Sequence, residues 1–142
     1  MLEKILNSTQ DCEKLGCYIS QKIREGDVIS LEGELGSGKT TFVKGILKGL
    51  NYTHDVTSPT FTLVNEYDAD IKVIHIDFYR ENNVARWENI GLNEYYNKSN
   101  IVIIEWGNLL DSLLPDDVIS INFEYIDLYK RKITSNYEPF GN

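Results

Sequence analysis

The residues Gly33 to Thr41, GELGSGKTT, fit the spacing G-x-x-x-x-G-K-[ST] of a loop that cradles phosphates. Glycines at Gly33, Gly36 and Gly38 permit backbone angles that side chains block, so successive N–H groups can turn inward around an anion. Lys39 adds a point charge for the outer phosphates, and Thr40 offers a hydroxyl to Mg²⁺. A helix beginning here also aims its positive end at the anion. Two carboxylates qualify as companions: Asp77 closes the apolar run Lys72-Val73-Ile74-His75-Ile76, and Glu105 closes Ile101 to Ile104. An acid at the exit of a buried strand is where phosphate-loop enzymes hold a metal or a water. A solvated strand end is the lesser reading of each, kept open because most Asp and Glu side chains are exposed. One hydroxyl, one carboxylate, phosphate oxygens and water suit Mg²⁺, whereas the isolated His54 and His75 suggest no zinc pair.

Two further segments bear on the chemistry. Thr57-Ser58-Pro59-Thr60-Phe61 gathers hydroxyls around a proline; it reads either as a plain loop entering a strand or as a switch segment touching the terminal phosphate. Arg80 follows Asp77 closely enough to neutralise developing charge, and a surface ion pair accounts for it equally well.

The elements that must position these groups follow from periodicity. Residues 9–25 read as a helix with Cys12, Leu15, Gly16, Ile19 and Ile23 on one face and a capping pattern at Ser8 and Asp11. Residues 27–32 form the buried strand that delivers the loop, and 39–50 the helix behind it. The spans 61–67 and 71–77, parted by three residues, predict an antiparallel hairpin. Residues 81–97 are helical in part, 108–114 form a short helix stopped by Pro115, and 136–142 show no pattern. Ile119, Ile121, Phe123 and Tyr125 alternate with polar residues, and 128–135 reads as the antiparallel partner. The expected fold is α/β: a mixed sheet of the phosphate-loop NTPase kind, flanked by helices and ending in an antiparallel strand pair, in a single domain over residues 1–142.

With 42% hydrophobic and 25% charged residues the composition is that of a soluble globular protein. Its apolar runs are too short for a membrane span, and no signal-peptide core is present, so a cytoplasmic protein is expected. Cys12 and Cys17 sit five apart in one helix, pointing away from each other, and read as reduced thiols. The net charge, 14 − 22 = −8, argues against strong direct nucleic-acid binding, which needs Lys and Arg to neutralise phosphates. The absence of an Asn-Lys-x-Asp string leans toward adenine over guanine.

Taken together, GELGSGKTT, TSPTF followed by TLVNEY, HIDFYR and IIEW occur in the order and approximate spacing of one family, and the chain resembles the TsaE (YjeE) family over nearly its whole length. The resemblance implies an ATPase that binds ATP and Mg²⁺, releases ADP, and serves the threonylcarbamoyladenosine modification of tRNA. Its implied partners are the TsaD/TsaB-type, sugar-kinase-like proteins that carry out the transfer, with hydrolysis slow alone and controlled by them. Nucleotide contacts carry over to Thr9, Gly36, Ser37, Gly38, Lys39, Thr40, Thr41 and Trp106, and metal contacts to Thr40 and Glu105. Lys39, Asp77, Glu105 and Thr60 carry over as the catalytic set. Glu34 stands where the family more often has Asp. A small-molecule kinase, or a binding module in which hydrolysis is incidental, remains as an alternative use of the same loop.

Overall fold

The computed structural model describes residues 2–34, 36–56, 62–96 and 99–141; the TSPTF segment, with Thr60, lies outside the described residues. In chain order the elements are β1 (Leu2–Leu6), α1 (Thr9–Ser20), β2 (Val28–Glu32), α2 (Lys39–Gly49), β3 (Val64–Asp68), β4 (Lys72–Asp77), α3 (Val84–Ile90), α4 (Leu92–Tyr96), β5 (Asn100–Glu105), β6 (Ile119–Tyr125) and β7 (Arg131–Ser135), with 3₁₀ turns at Gly107–Leu113 and Glu138–Gly141. The strands form one mixed sheet in the order β1-β7-β6-β2-β5-β4-β3. The central four, β6, β2, β5 and β4, run parallel, while β3 and β7 pair antiparallel to their neighbours.

Burial on both faces explains the apolar character of the central strands. Val73, Ile101, Ile103, Ile29 and Leu31 point toward α1 and α2, with Ile19, Phe42, Val43 and Ile46 as partners. Ile74, Ile76, Val102 and Ile104 point the other way, onto Trp87 and Leu92. The Trp87 indole N–H donates to the Glu81 carbonyl at 2.7 Å, satisfying its one donor inside that second layer.

The α/β class, the β3–β4 hairpin and the β6–β7 pair all match the expectations, and the ends differ. Helix α1 stops at Ser20 rather than at residue 25, and β7 begins at Arg131 rather than at 128. Asp127 explains the late start: its carboxylate accepts from the backbone N–H groups of Tyr129 and Lys130, each at 2.8 Å, and holds residues 127–130 as a turn. Strand β1 has no clear signature in the sequence, because it lies at the sheet edge, buries Leu6 and leaves Ile5 half exposed. Residues 138–141 form a 3₁₀ turn that seats Phe140 against Phe42 at 6.3 Å between ring centroids.

Helices α1 and α2 pack at backbone contact, and glycine is the reason. A Cβ on Gly16 would strike the Phe42 carbonyl, and one on Gly45 would strike the Glu13 carbonyl. This approach sets the depth at which the N-terminus of α2 sits against the sheet. Gly45→Ala therefore tests packing against propensity. Propensity alone predicts a gain of about 1 kcal/mol, whereas the clash predicts a loss of about 1–3 kcal/mol. A lower urea midpoint for Gly45→Ala than for wild type is the expected result.

Candidate nucleotide-binding site

Three parallel strands, β2, β5 and β4, end side by side, and the turn after β2 leads directly into α2. Gly36 and Gly38 take φ of +79° and +112°, a region that L side chains rarely adopt, and Gly38 caps α2. Such glycines are what let the chain reverse into a helix without a side-chain cap. Lys39, the first residue of α2, is only 6% exposed. Its ammonium donates to the Gly33 carbonyl at 2.5 Å, lies 3.7 Å from Glu105 Oε1 and sits 4.3 Å from the centre of the Trp106 ring. Burial pushes its pKa below the usual lysine value, against the opposing pull of Glu105, Asp77 and Glu32.

The two strand-end acids are register partners on adjacent parallel strands, Asp77 opposite Glu105. Both project from the face that carries Val73, Ile101 and Ile103, which is the α2 side. Both are buried. Asp77 Oδ1 accepts from the Tyr79 backbone N–H at 2.8 Å. For Glu105, burial pushes the carboxyl up, but His75 and Lys39 outweigh it and leave the pKa below the ordinary carboxylate value. The solvated-strand-end reading is thus excluded for both. A third acid, Glu32, is held on its Oε1 by the Ser30 hydroxyl at 2.5 Å and the Asn108 N–H at 3.0 Å, and burial raises its pKa.

Lys39, Asp77 and Glu105 border an open cavity of about 790 Å³, whereas Glu32 is not part of its lining. Of the residues singled out from the sequence, Thr9, Gly36, Gly38, Lys39, Thr40, Thr41, Asp77, Glu105 and Trp106 all line it. Ser37 is buried beneath the loop instead, its hydroxyl without a hydrogen-bond partner among the described residues and its N–H donating to the Glu34 carbonyl at 3.1 Å. Thr60 lies outside the described residues. Arg80 is exposed and is not part of the cavity lining. Trp106 adopts φ of +62°, a left-handed conformation costly for a bulky side chain, and its ring tilts against Tyr79 at 5.3 Å.

The donor set fits a hard divalent cation. Asp77, Glu105 and Thr40 all line the cavity, and the Glu105 oxygen turned away from His75, Oε1, is the one beside Lys39 at 3.7 Å. Oxygen donors with room for phosphate and water are what Mg²⁺ requires. Among the described residues no group of three His, Cys, Asp or Glu side chains gathers as a metal cage.

Comparison with known proteins shows the family and the fold. The family described as "Threonylcarbamoyl adenosine biosynthesis protein TsaE" matches residues 6–133. The chain belongs to the TsaE family. It is 42% identical to the tRNA threonylcarbamoyladenosine biosynthesis protein TsaE of Aquifex aeolicus over 92% of each chain. It is 40% identical to the Bacillus subtilis protein of that name over 84% of this chain and 73% of the relative, and 35% identical to that of Treponema pallidum over 92% and 96%. The crystal structure of Bacillus subtilis YdiB superposes with a TM-score of 0.82 at 30% identity, covering 98% of this chain and 90% of that one. The TsaE-family fold is thus the mixed α/β, phosphate-loop NTPase-like arrangement described above. Among the described residues no helix is long and apolar enough to cross a membrane.

The sequence reading passed over one wall of the cavity. Leu128, Tyr129 and Arg131, from the β6–β7 turn and the start of β7, line it together with Ser8 and Cys12. Arg131 reaches across to donate to the Gly36 carbonyl at 3.0 Å, while its other terminal nitrogen donates to the Asp127 and Lys130 carbonyls at 2.6 and 2.9 Å. Its guanidinium also covers the Tyr125 ring at 4.5 Å. The basic run Lys130-Arg131-Lys132 contained the only hint, because the partner is a backbone carbonyl with no side-chain identity to read. Cys12 donates to the Gly38 carbonyl at 3.4 Å, and burial pushes its thiol up to about 12, so it supports the loop as an inert neutral group. Arg131→Met removes one charge-assisted bond to the loop and should weaken binding of inorganic tripolyphosphate about tenfold. Calorimetric titration checks this, with an unchanged circular dichroism spectrum as the control for folding.

Proposed function

We propose that this TsaE-family protein binds ATP with Mg²⁺ on the loop at Gly33–Thr41 and hydrolyses it slowly, as an accessory step in the threonylcarbamoyladenosine modification of tRNA. The observation that carries the reading is the Lys39 ammonium, buried at the start of α2 between the Gly33 carbonyl and Glu105, on the wall of a cavity that also holds Asp77. A cation in that position exchanges a carbonyl for a phosphate oxygen with little reorganisation. Glycine-loop amides and the α2 N-terminus orient the polyphosphate, and Thr40 and Glu105 hold Mg²⁺, with Asp77 beside them orienting water. Mg²⁺, when bound, neutralises charge on the outer phosphates. Thr9 and Thr41 approach the nucleoside side of the cavity, and Trp106 shields the Lys39 side. Thr60 belongs to a segment that responds to the terminal phosphate.

The whole chain, residues 1–142, acts as one ATPase domain of the cytoplasm, and its output goes to protein. The tRNA in the names of its relatives is handled by TsaD/TsaB-type partners, since a net charge of −8 disfavours direct contact with a polyanion. ATP binding measured by calorimetry should weaken about 30-fold or more in Lys39→Ala, which leaves Glu105 without its cation. Glu105→Ala should keep ATP binding in EDTA, lose most of the enhancement that Mg²⁺ gives, and lose about 10²-fold or more in turnover. A wild-type protein with no affinity for ATP in the presence of Mg²⁺ would refute the reading. ATP turnover unaffected by the transfer proteins, with no association in any nucleotide state, would remove the partner assignment.

A further inference from the structure

Strand β4 carries an expensive residue where a cheap one would fit. His75 lies between Ile74 and Ile76, and all three are fully buried. It shares the α2 face with Val73 and Asp77, since side chains two apart on a strand point the same way. Valine or isoleucine would suit that layer without stranding a polar group. The imidazole instead buries two nitrogens, and Nδ1 has no hydrogen-bond partner among the described residues. What it gains is one contact: Nε2 approaches Glu105 Oε2 at 2.8 Å, off the axis of a well-aligned N–H···O bond.

Glu105 is consequently gripped from two sides. Oε2 is sealed from solvent against His75, and Oε1 faces Lys39 at 3.7 Å on the cavity wall. We propose that His75 is a positioning residue for Glu105: it fixes the carboxylate from inside the layer between sheet and α2, so that Oε1 is the oxygen kept beside Lys39 and available to the cation. The role rests on the Mg²⁺-ATP reading above. A residue that orients a ligating side chain from behind commonly changes metal affinity by about 10- to 100-fold when replaced.

Calorimetric titration with ATP, first in EDTA and then across a Mg²⁺ series, separates positioning from packing. In His75→Leu, the Mg²⁺ concentration giving half of the enhancement of ATP binding should rise about tenfold or more, while the Kd for ATP in EDTA changes less than twofold. His75→Gln, which keeps an N–H donor, should recover to within about threefold of wild type. In a Glu105→Gln background, His75→Leu should produce no further shift. Circular dichroism checks folding, and His75→Val serves as the donor-free variant should His75→Leu not fold. Equal losses in EDTA and Mg²⁺, no loss at all, or a His75→Gln no better than His75→Leu would overturn the positioning role while leaving the ATP site standing. A wild type whose ATP affinity gains nothing from Mg²⁺ would overturn both.

Discussion

The arrangement depends on one buried cation. An ammonium at the depth of Lys39 is unstable without close partners, since desolvation of an isolated charge costs far more than a folded domain can spare. The Gly33 carbonyl, the Glu105 carboxylate and the face of the Trp106 ring together supply that compensation. Each comes from a different place: the end of β2, the end of β5, and the residue just after β5. The Lys39 contacts therefore tie the loop, the central strands and α2 to one point. The ring that covers the lysine belongs to a residue with left-handed backbone, Trp106 at φ of +62°.

Positioning of that point is set by packing far from the charges. The Gly16 and Gly45 contacts hold α2 close to α1, and α1 in turn brings Ser8, Thr9 and Cys12 to the cavity. Ser8 accepts from the Asp11 N–H at 3.1 Å, and Asp11 accepts from the Asn7 N–H at 3.0 Å, so the helix start is fixed on both sides. On the opposite wall, Arg131 ties the β6–β7 turn to Gly36. The loop is braced by one helix and one hairpin, and neither brace belongs to the phosphate-loop motif itself.

The sequence made the centre of this site legible and its braces illegible, for a physical reason. Gly33, Gly36, Gly38, Lys39 and Thr40 announce themselves because phosphate chemistry demands those types at that spacing. Asp77 and Glu105 were visible as polar ends of apolar runs, although burial and their shared register required the structure. The central strands were legible through their apolar content and β6 through its alternation, whereas β1 at the sheet edge, with one firmly buried side chain, carried too little pattern. Arg131 was missed because it acts on a carbonyl from the far end of the chain, and His75 because a lone histidine in an apolar strand has no readable partner. Both depend on long-range register, the quantity that local sequence encodes least.

Electrostatics bears on how the proposed cation and the polyphosphate would depend on each other. With Asp77 and Glu105 ionised and Lys39 protonated, the three groups sum to 1 − 2 = −1, before Glu32 is counted. Adjacent strands lie about 4.8 Å apart, so the two carboxylates repel one another in a medium that screens poorly. A triphosphate arriving alone would add further negative charge to that repulsion, opposed by Lys39, by Arg131 on the cavity wall, by the loop amides and by the α2 N-terminus. A divalent cation beside Glu105 reverses the sign of the local sum to +1. The same two acids that would deter a bare polyphosphate would thus favour its cation-bound form. That selectivity follows from the register pairing of Asp77 with Glu105, a property of the sheet rather than of the loop.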